Sequence, residues 1–232
     1  MSNIEFTENL SKYANPKEYD ETYKSYTADL EFIEEHLGGN TQTIIELACG
    51  TGRLALPLAK QGHLVYGVDI DAGMLKYAQD KAEFENLNIH LSIQDCTKLN
   101  LPILSNFIYM TGNSFQHFLT NESQDALLNS VKKHLKPNGE FIFDTRNPIL
   151  HELSNVDIVE ELIESNGETT KVINKDEYNH LTQILECTST YISPINQYKD
   201  SIKLRYTYPL NPTTPFGKTK CKKLLLSDIL SV

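Results

Sequence analysis

Residues 43–59, TIIELACGTGRLALPLA, decide the fold. A short apolar strand runs through Gly50-Thr51-Gly52 into an apolar helical pattern. Ala55 follows Gly52 by three places, so the segment fits G-x-G-x-x-G/A, the strand–turn–helix fingerprint of nucleotide-binding sheets. Its glycines let the backbone approach a ligand closely, and the helix N-terminus behind them favours negative charge. Glu46, just before the loop, is out of keeping: it sets a carboxylate where a pyrophosphate would lie.

Outward from this loop the chain alternates strand and helix. Upstream, residues 15–37 read as one helix, with Asn15 as cap, Pro16 at the first position and Glu18 completing a capping box. Tyr19, Tyr23, Tyr26, Leu30, Ile33 and Leu37 share a face, and Gly38-Gly39 ends it. Downstream come HLVYGVDI, a helix DAGMLKYAQDKAEFE capped by Asp71, then NIHLSIQD, LSNFIYMTG, a helix NESQDALLNSVKKHL, a KPNG turn and GEFIFDTRN. Such alternation implies parallel pairing with right-handed crossovers. From about residue 151 the period becomes two, in VDIVEELIE, TTKVINK, HLTQILECTSTYI and SIKLRYTY, with hairpin turns expected at Asn166-Gly167 and KDEYN. The expected fold is α/β: a Rossmann-like, doubly wound, mostly parallel sheet with an antiparallel β-rich lid inserted after strand five. Residues 1–150 would form the core with its N-terminal capping helix, 151–210 the lid and 211–232 a separate tail.

Composition narrows the function. The 232 residues, 40% hydrophobic, suffice for one large domain. A net charge of −10 argues against a nucleic-acid partner or an anionic membrane surface. The four cysteines (Cys49, Cys96, Cys187 and Cys221) lack CxxC spacing, and the histidines lack ligand spacing, so no metal site or disulfide framework is expected. The N-terminus MSNIEFTENL has no apolar leader core, and no apolar run reaches the ~20 residues that span a bilayer. A cytoplasmic protein is expected.

Two further acids end strands. Asp69 closes GVD and can accept from ribose hydroxyls; Asp95 closes SIQD and can accept from an adenine amine. Each also suits a local Asx turn or helix cap. Taken with Glu46 they favour a cationic guest: a carboxylate before the loop would repel a dinucleotide's phosphates, whereas S-adenosylmethionine carries an ammonium and a sulfonium.

These segments resemble the class I S-adenosylmethionine-dependent methyltransferase family over residues 13–147. ELACGTGRLALPLA resembles its first motif, VYGVDIDAGMLKYA its second, SIQDCTKL its adenine segment, NFIYMTGNSFQHF its fourth-strand motif, and LLNSVKKHLKPNGEFIFDTRNP its fifth strand with the preceding helix. The nearest likeness is to the small-molecule type with an N-terminal aromatic helix and a β-rich lid. The resemblance implies S-adenosyl-L-methionine as cofactor. Glu46, Ala48, Gly50 and Gly52 would surround its methionine part. Asp69 would hold the ribose, with Ile70 and Met74 beside the adenine; Asp95 and Cys96 would border it, and Gly112 the reactive end. Tyr13, Tyr19 and Tyr23 would close over the site, although face periodicity alone also predicts packing for the tyrosine stripe.

The implied reaction is in-line attack of a small-molecule acceptor on the sulfonium methyl, in a monomer or homodimer. His117 is the candidate catalytic base, or else a hydrogen-bonding residue of its loop. Asn113, Ser114 and Asn147 share that rim. Two other readings stay open: a cofactor-binding but inactive relative, and an NAD-dependent oxidoreductase. YANPK and YAQDK match the reductase pattern YxxxK but are misplaced for one, and FGKT lacks a phosphate loop's first glycine. Beyond RYTYPL the family's helix and final β-hairpin are not evident; residues 211–232 carry Pro212, Pro215 and a lysine cluster. Unless KKLLLSDIL supplies a strand, an uncovered strand five predicts lowered stability or self-association.

Overall fold

The computed structural model describes residues 9–145, 156–165, 168–206 and 220–225. Helices α1 (Pro16–Tyr23) and α2 (Ala28–Leu37) precede the sheet. Then β1 (Thr43–Leu47), α3 (Ala55–Lys60), β2 (Leu64–Asp69), α4 (Ala72–Phe84), β3 (Ile89–Ile93), β4 (Ser105–Met110), α5 (Asn121–His134) and β5 (Leu135–Thr145) alternate. With β10 (Lys220–Leu225) they build one parallel sheet, ordered β10-β5-β4-β1-β2-β3. Strands β6 (Val156–Ser165), β7 (Glu168–Asn179), β8 (Ile184–Ile192) and β9 (Gln197–Arg205) form a separate antiparallel sheet in chain order. This is the expected α/β architecture with its antiparallel addition after strand five.

The parallel strands are apolar because both faces are covered. Successive residues point to opposite sides: Ile45, Ile108 and Phe141 pack with Leu127 and Val131 of α5, while Ile44, Phe107 and Ile142 pack with Ile33 of α2 and Leu58 of α3. Gly67 of β2 lies between Glu46 and Leu91 in register. A Cβ there would stand 2.6 Å from Leu91 Cδ2 and 2.9 Å from Cys49 Sγ. Gly67→Ala is expected to cost about 1–3 kcal/mol by overpacking, read as a lower urea midpoint; an unchanged midpoint would show that both neighbours yield freely.

The structure departs from local expectation in four places. The single helix over 15–37 is broken at residues 24–27, since the Tyr26 carbonyl turns aside to accept from Arg53 Nη1 at 3.0 Å. Its start and stop hold: Asn15 Oδ1 accepts the Glu18 N–H at 3.3 Å, and Gly38 ends α2 at φ 63°. KPNG is not a free turn but the bulged start of β5, where Asn138 takes φ 64° and the register to β4 shifts. KDEYN lies within β7, and the turn falls after it, closed by Asn179 Oδ1 accepting from the amides of Leu181 and Thr182. The join Asn166-Gly167 lies outside the described residues. Finally, KCKKLL of the tail forms β10, parallel to β5 over Lys220–Leu225. That edge of β5 is therefore covered, which removes the ground given for lowered stability or self-association. Among the described residues, no helix is long and apolar enough to cross a membrane.

Candidate functional site

A cavity opens at the carboxyl ends of β1, β2 and β4, the usual ligand position in an open parallel sheet. Ala48, Gly50, Asp69, Ile70, Met74, Asp95, Cys96, Gly112, His117 and Tyr13 all line it, as does Tyr19. The chain turns out of β1 with Ala48 at φ 55° and Gly50 at φ 52°. A side chain on Gly50 would be strained, and its Cβ would sit 3.2 Å from Met74 Cε.

Asp69 makes the local turn and also lines the cavity. Its Oδ2 accepts the Gly50 N–H at 2.7 Å and its Oδ1 the Asp71 N–H at 2.9 Å, so it shapes the loop while facing the cavity. Burial raises its pKa above the ordinary carboxylate value. Asp95 caps the 3₁₀ turn Cys96–Lys98, its Oδ1 accepting from Thr97 N at 2.8 Å and Thr97 Oγ1 at 2.7 Å. Asp71 caps α4 through Met74 N at 2.9 Å and is the third aspartate of the lining. Burial pushes the Cys96 thiol up to about 12, which makes it an inert wall.

Three expected site residues stand outside the lining. Tyr23 is 44% exposed and packs against Tyr19 with the rings tilted by 48°. Gly52, at φ 74°, packs helices instead: its Cβ would meet Leu56 Cγ at 3.0 Å and Ala78 Cβ at 3.3 Å. Glu46 is buried at 3% exposure and accepts from Tyr109 Oη at 2.8 Å. Burial pushes its pKa up to about 8, so without a bound cation the fold favours its protonated form at neutral pH. Asp69, Asp71 and Asp95 line the cavity, and among the described residues no lysine or arginine does.

Glu46 has a second consequence. The fold keeps a proton on it that the unfolded chain has released above about pH 4.5. Stability from this group therefore falls as pH rises from there to about 8. Glu46→Gln is expected to make stability less steep by about 1 kcal/mol per pH unit between pH 6 and 7. Urea titrations at both pH values test this; an unchanged slope would show that Glu46 is ionised in the fold.

Sequence reasoning missed what anchors the cavity walls. Asp144, at the end of β5, accepts from Gly112 N at 2.9 Å and Asn113 N at 2.8 Å and so holds the loop after β4. Burial pushes its pKa up to about 6. An acid at a strand end was the available signal, as it was for Asp69. Asp20 ties α1 to the glycine loop through Thr51 Oγ1 and to α4 through Lys81 Nζ. Leu10, which no motif marks, and Phe118, at the end of the NFIYMTGNSFQHF segment, also line the cavity. His117 has both ring nitrogens engaged, Nδ1 with Asn9 Nδ2 and Nε2 with Tyr13 Oη, each at 3.1 Å. Asn147 lies outside the described residues.

Comparison with known proteins identifies this core. Residues 44–139 match the family described as "Methyltransferase domain". The class I S-adenosylmethionine-dependent methyltransferase fold is present here. A methyltransferase of Geobacillus sp. (strain WCH70) is 33% identical over 126 residues, 53% of this chain and 51% of that protein. The ubiquinone biosynthesis O-methyltransferase of Coxiella burnetii (strain RSA 493 / Nine Mile phase I) is 27% identical over 118 residues, 51% of this chain and 49% of that protein. The chain thus spans about half the length of the curated relatives it matches. Among solved structures, an S-adenosylmethionine-dependent methyltransferase from Clostridium acetobutylicum ATCC 824 superposes with TM-score 0.64 at 21% identity, over 81% of this chain and 76% of that one. CalS10, an amino pentose methyltransferase from Micromonospora echinaspora, superposes with TM-score 0.67 at 13% identity, over 83% and 84%. These likenesses extend the methyltransferase fold beyond the matched domain to most of the chain. The CalS10 structure holds bound S-adenosylmethionine.

Proposed function

We propose that this protein binds S-adenosylmethionine in the cavity and transfers its methyl group to a small-molecule acceptor by in-line displacement. The observation that carries this reading is the charge of the lining, which among the described residues has three aspartates and no lysine or arginine around a glycine loop. That wall suits a cationic nucleoside and opposes a dinucleotide's two phosphates. When bound, the sulfonium supplies an activated methyl and leaves as a neutral thioether.

The chain's own residues bind and align. Asp69 accepts from the ribose hydroxyls while it holds Gly50 in place. Asp95 accepts from the adenine amine through Oδ2, its other oxygen being engaged by Thr97. Ile70 and Met74 flank the base. Ala48 and Gly50 offer close backbone approach to the amino-acid end. Gly112 and Ser114 border the space for the acceptor, and catalysis rests chiefly on proximity and orientation. Burial holds the His117 imidazole neutral, with its pKa pushed down to about 4. Both its nitrogens are already paired, so the reaction is not routed through it as a base.

Calorimetry with S-adenosylmethionine, S-adenosylhomocysteine and NAD tests the reading. Binding of the first two without NAD is expected; the reverse pattern would refute it. Incorporation of labelled methyl into a panel of amines and hydroxyl compounds then identifies the acceptor.

A further inference from the structure

Asn9, His117 and Tyr13 form a chain of hydrogen bonds from the antiparallel sheet to the cavity. A backbone N–H can only donate, and the Lys203 N–H meets Asn9 Oδ1 at 2.5 Å, which assigns the amide oxygen. Asn9 Nδ2 therefore carries the two protons. It donates one to the Lys203 carbonyl at 2.9 Å and the other to His117 Nδ1 at 3.1 Å. Nδ1 must then present a lone pair. The neutral ring keeps its proton on Nε2, which donates to Tyr13 Oη at 3.1 Å. Reversing the Asn9 amide would set N–H against N–H and oxygen against oxygen at Lys203. The phenol stays protonated, because burial raises its pKa well above the ordinary tyrosine value. Its own proton thus points away from His117, on a side chain that lines the cavity.

We propose that Asn9 is a positioning residue that selects the His117 tautomer and so commits the Tyr13 hydroxyl to donate a hydrogen bond to a lone-pair atom of the bound ligand. Its ligand-facing half rests on the reading of the cavity as the S-adenosylmethionine site. The aspartates of the wall act as acceptors, so Tyr13 adds the complementary donor, and β9, through Lys203, sets its direction. A guest matched to this wall presents hydroxyl or amino donors to the acids and an oxygen or nitrogen lone pair to Tyr13.

Nitrogen-15 NMR of the full chain without ligand reads the protonation of each His117 ring nitrogen. A proton on Nε2 and a bare Nδ1 are expected. Asn9→Asp keeps the side-chain shape but has no N–H to give. At alkaline pH, where the ring is neutral, it is expected to move the proton to Nδ1, so that Nε2 accepts from Tyr13. Affinity for S-adenosylhomocysteine should then fall about 3- to 10-fold. Tyr13→Phe should lower it by the same factor, with no further loss in the double variant. A proton on Nδ1 in the parent, a tautomer unmoved by Asn9→Asp, or additive losses would overturn the proposal. A parent with the expected tautomer that binds neither S-adenosylmethionine nor S-adenosylhomocysteine refutes the cofactor reading and leaves the tautomer assignment standing.

Discussion

Asp69→Asn is expected to lower affinity for S-adenosylhomocysteine by about 10- to 150-fold, the value of one charge-assisted hydrogen bond. The substitution keeps the side-chain shape, yet both carboxylate oxygens already accept backbone N–H groups, from Gly50 and from Asp71. An amide must turn its NH2 toward one of those donors. If Gly50 loses its anchor, the loop that approaches the ligand shifts; if Asp71 does, the entry to α4 moves. Asp95→Asn supplies the contrast. Its Oδ1 takes both Thr97 bonds, so an amide nitrogen at the Oδ2 position opposes no donor of the protein and costs only the bond from the adenine amine. A smaller loss is expected there. Calorimetry on both variants, with melting temperatures as folding controls, separates the two. Equal affinity of parent and Asp69→Asn would remove Asp69 from the site.

Asp29→Ala is expected to destabilise the fold by about 3–5 kcal/mol, the usual result of leaving one charge of a buried pair alone. Asp29 is 3% exposed. Arg53 reaches it with both terminal nitrogens, Nη1 to Oδ1 at 2.9 Å and Nη2 to Oδ2, while Nη1 also donates to the Tyr26 carbonyl. The guanidinium stands 5.6 Å from the Tyr26 ring centroid as well. With Ala at 29, a largely buried guanidinium keeps the Tyr26 carbonyl and the Tyr19 hydroxyl but no counter-charge. The double variant Asp29→Ala with Arg53→Met should recover much of the loss, since no charge is then stranded. Urea unfolding of parent, single and double variants measures this. A single variant within about 1 kcal/mol of the parent, the range of exposed pairs, would show that water reaches Arg53. The pair also locates α1 and α2 against the glycine loop, so loss of Asp29 should disturb Tyr19 in the cavity wall.

Much of this protein was legible one segment at a time. The strand–helix alternation, the glycine loop, Asp71 as a cap and the aspartates ending β2 and after β3 are all patterns of a few neighbouring residues. Cap, turn and face preferences act over that same range. The role given to Glu46 shows the limit. Its position before the loop was read from sequence as a charge for a cation. Its side chain instead lies in the sheet interior, where Tyr109, 63 positions away, makes its bond. The helix expected across residues 24–27 met the same limit: local periodicity favoured continuity, and Arg53 from the far side of the loop won the Tyr26 carbonyl.

The sequence by itself determined the order of the elements, the parallel class of the sheet and the place of the ligand loop, because these follow from periodicity and from backbone freedom at glycine. Only the tertiary structure decided which acids face the cavity, which nitrogen of His117 bears the proton, and that the tail adds a strand beside β5. Each of those outcomes depends on burial and on hydrogen bonds between residues distant in the chain. Asn9 and Lys203, 194 positions apart, set the state of His117, and no local spacing encodes a partner at that distance.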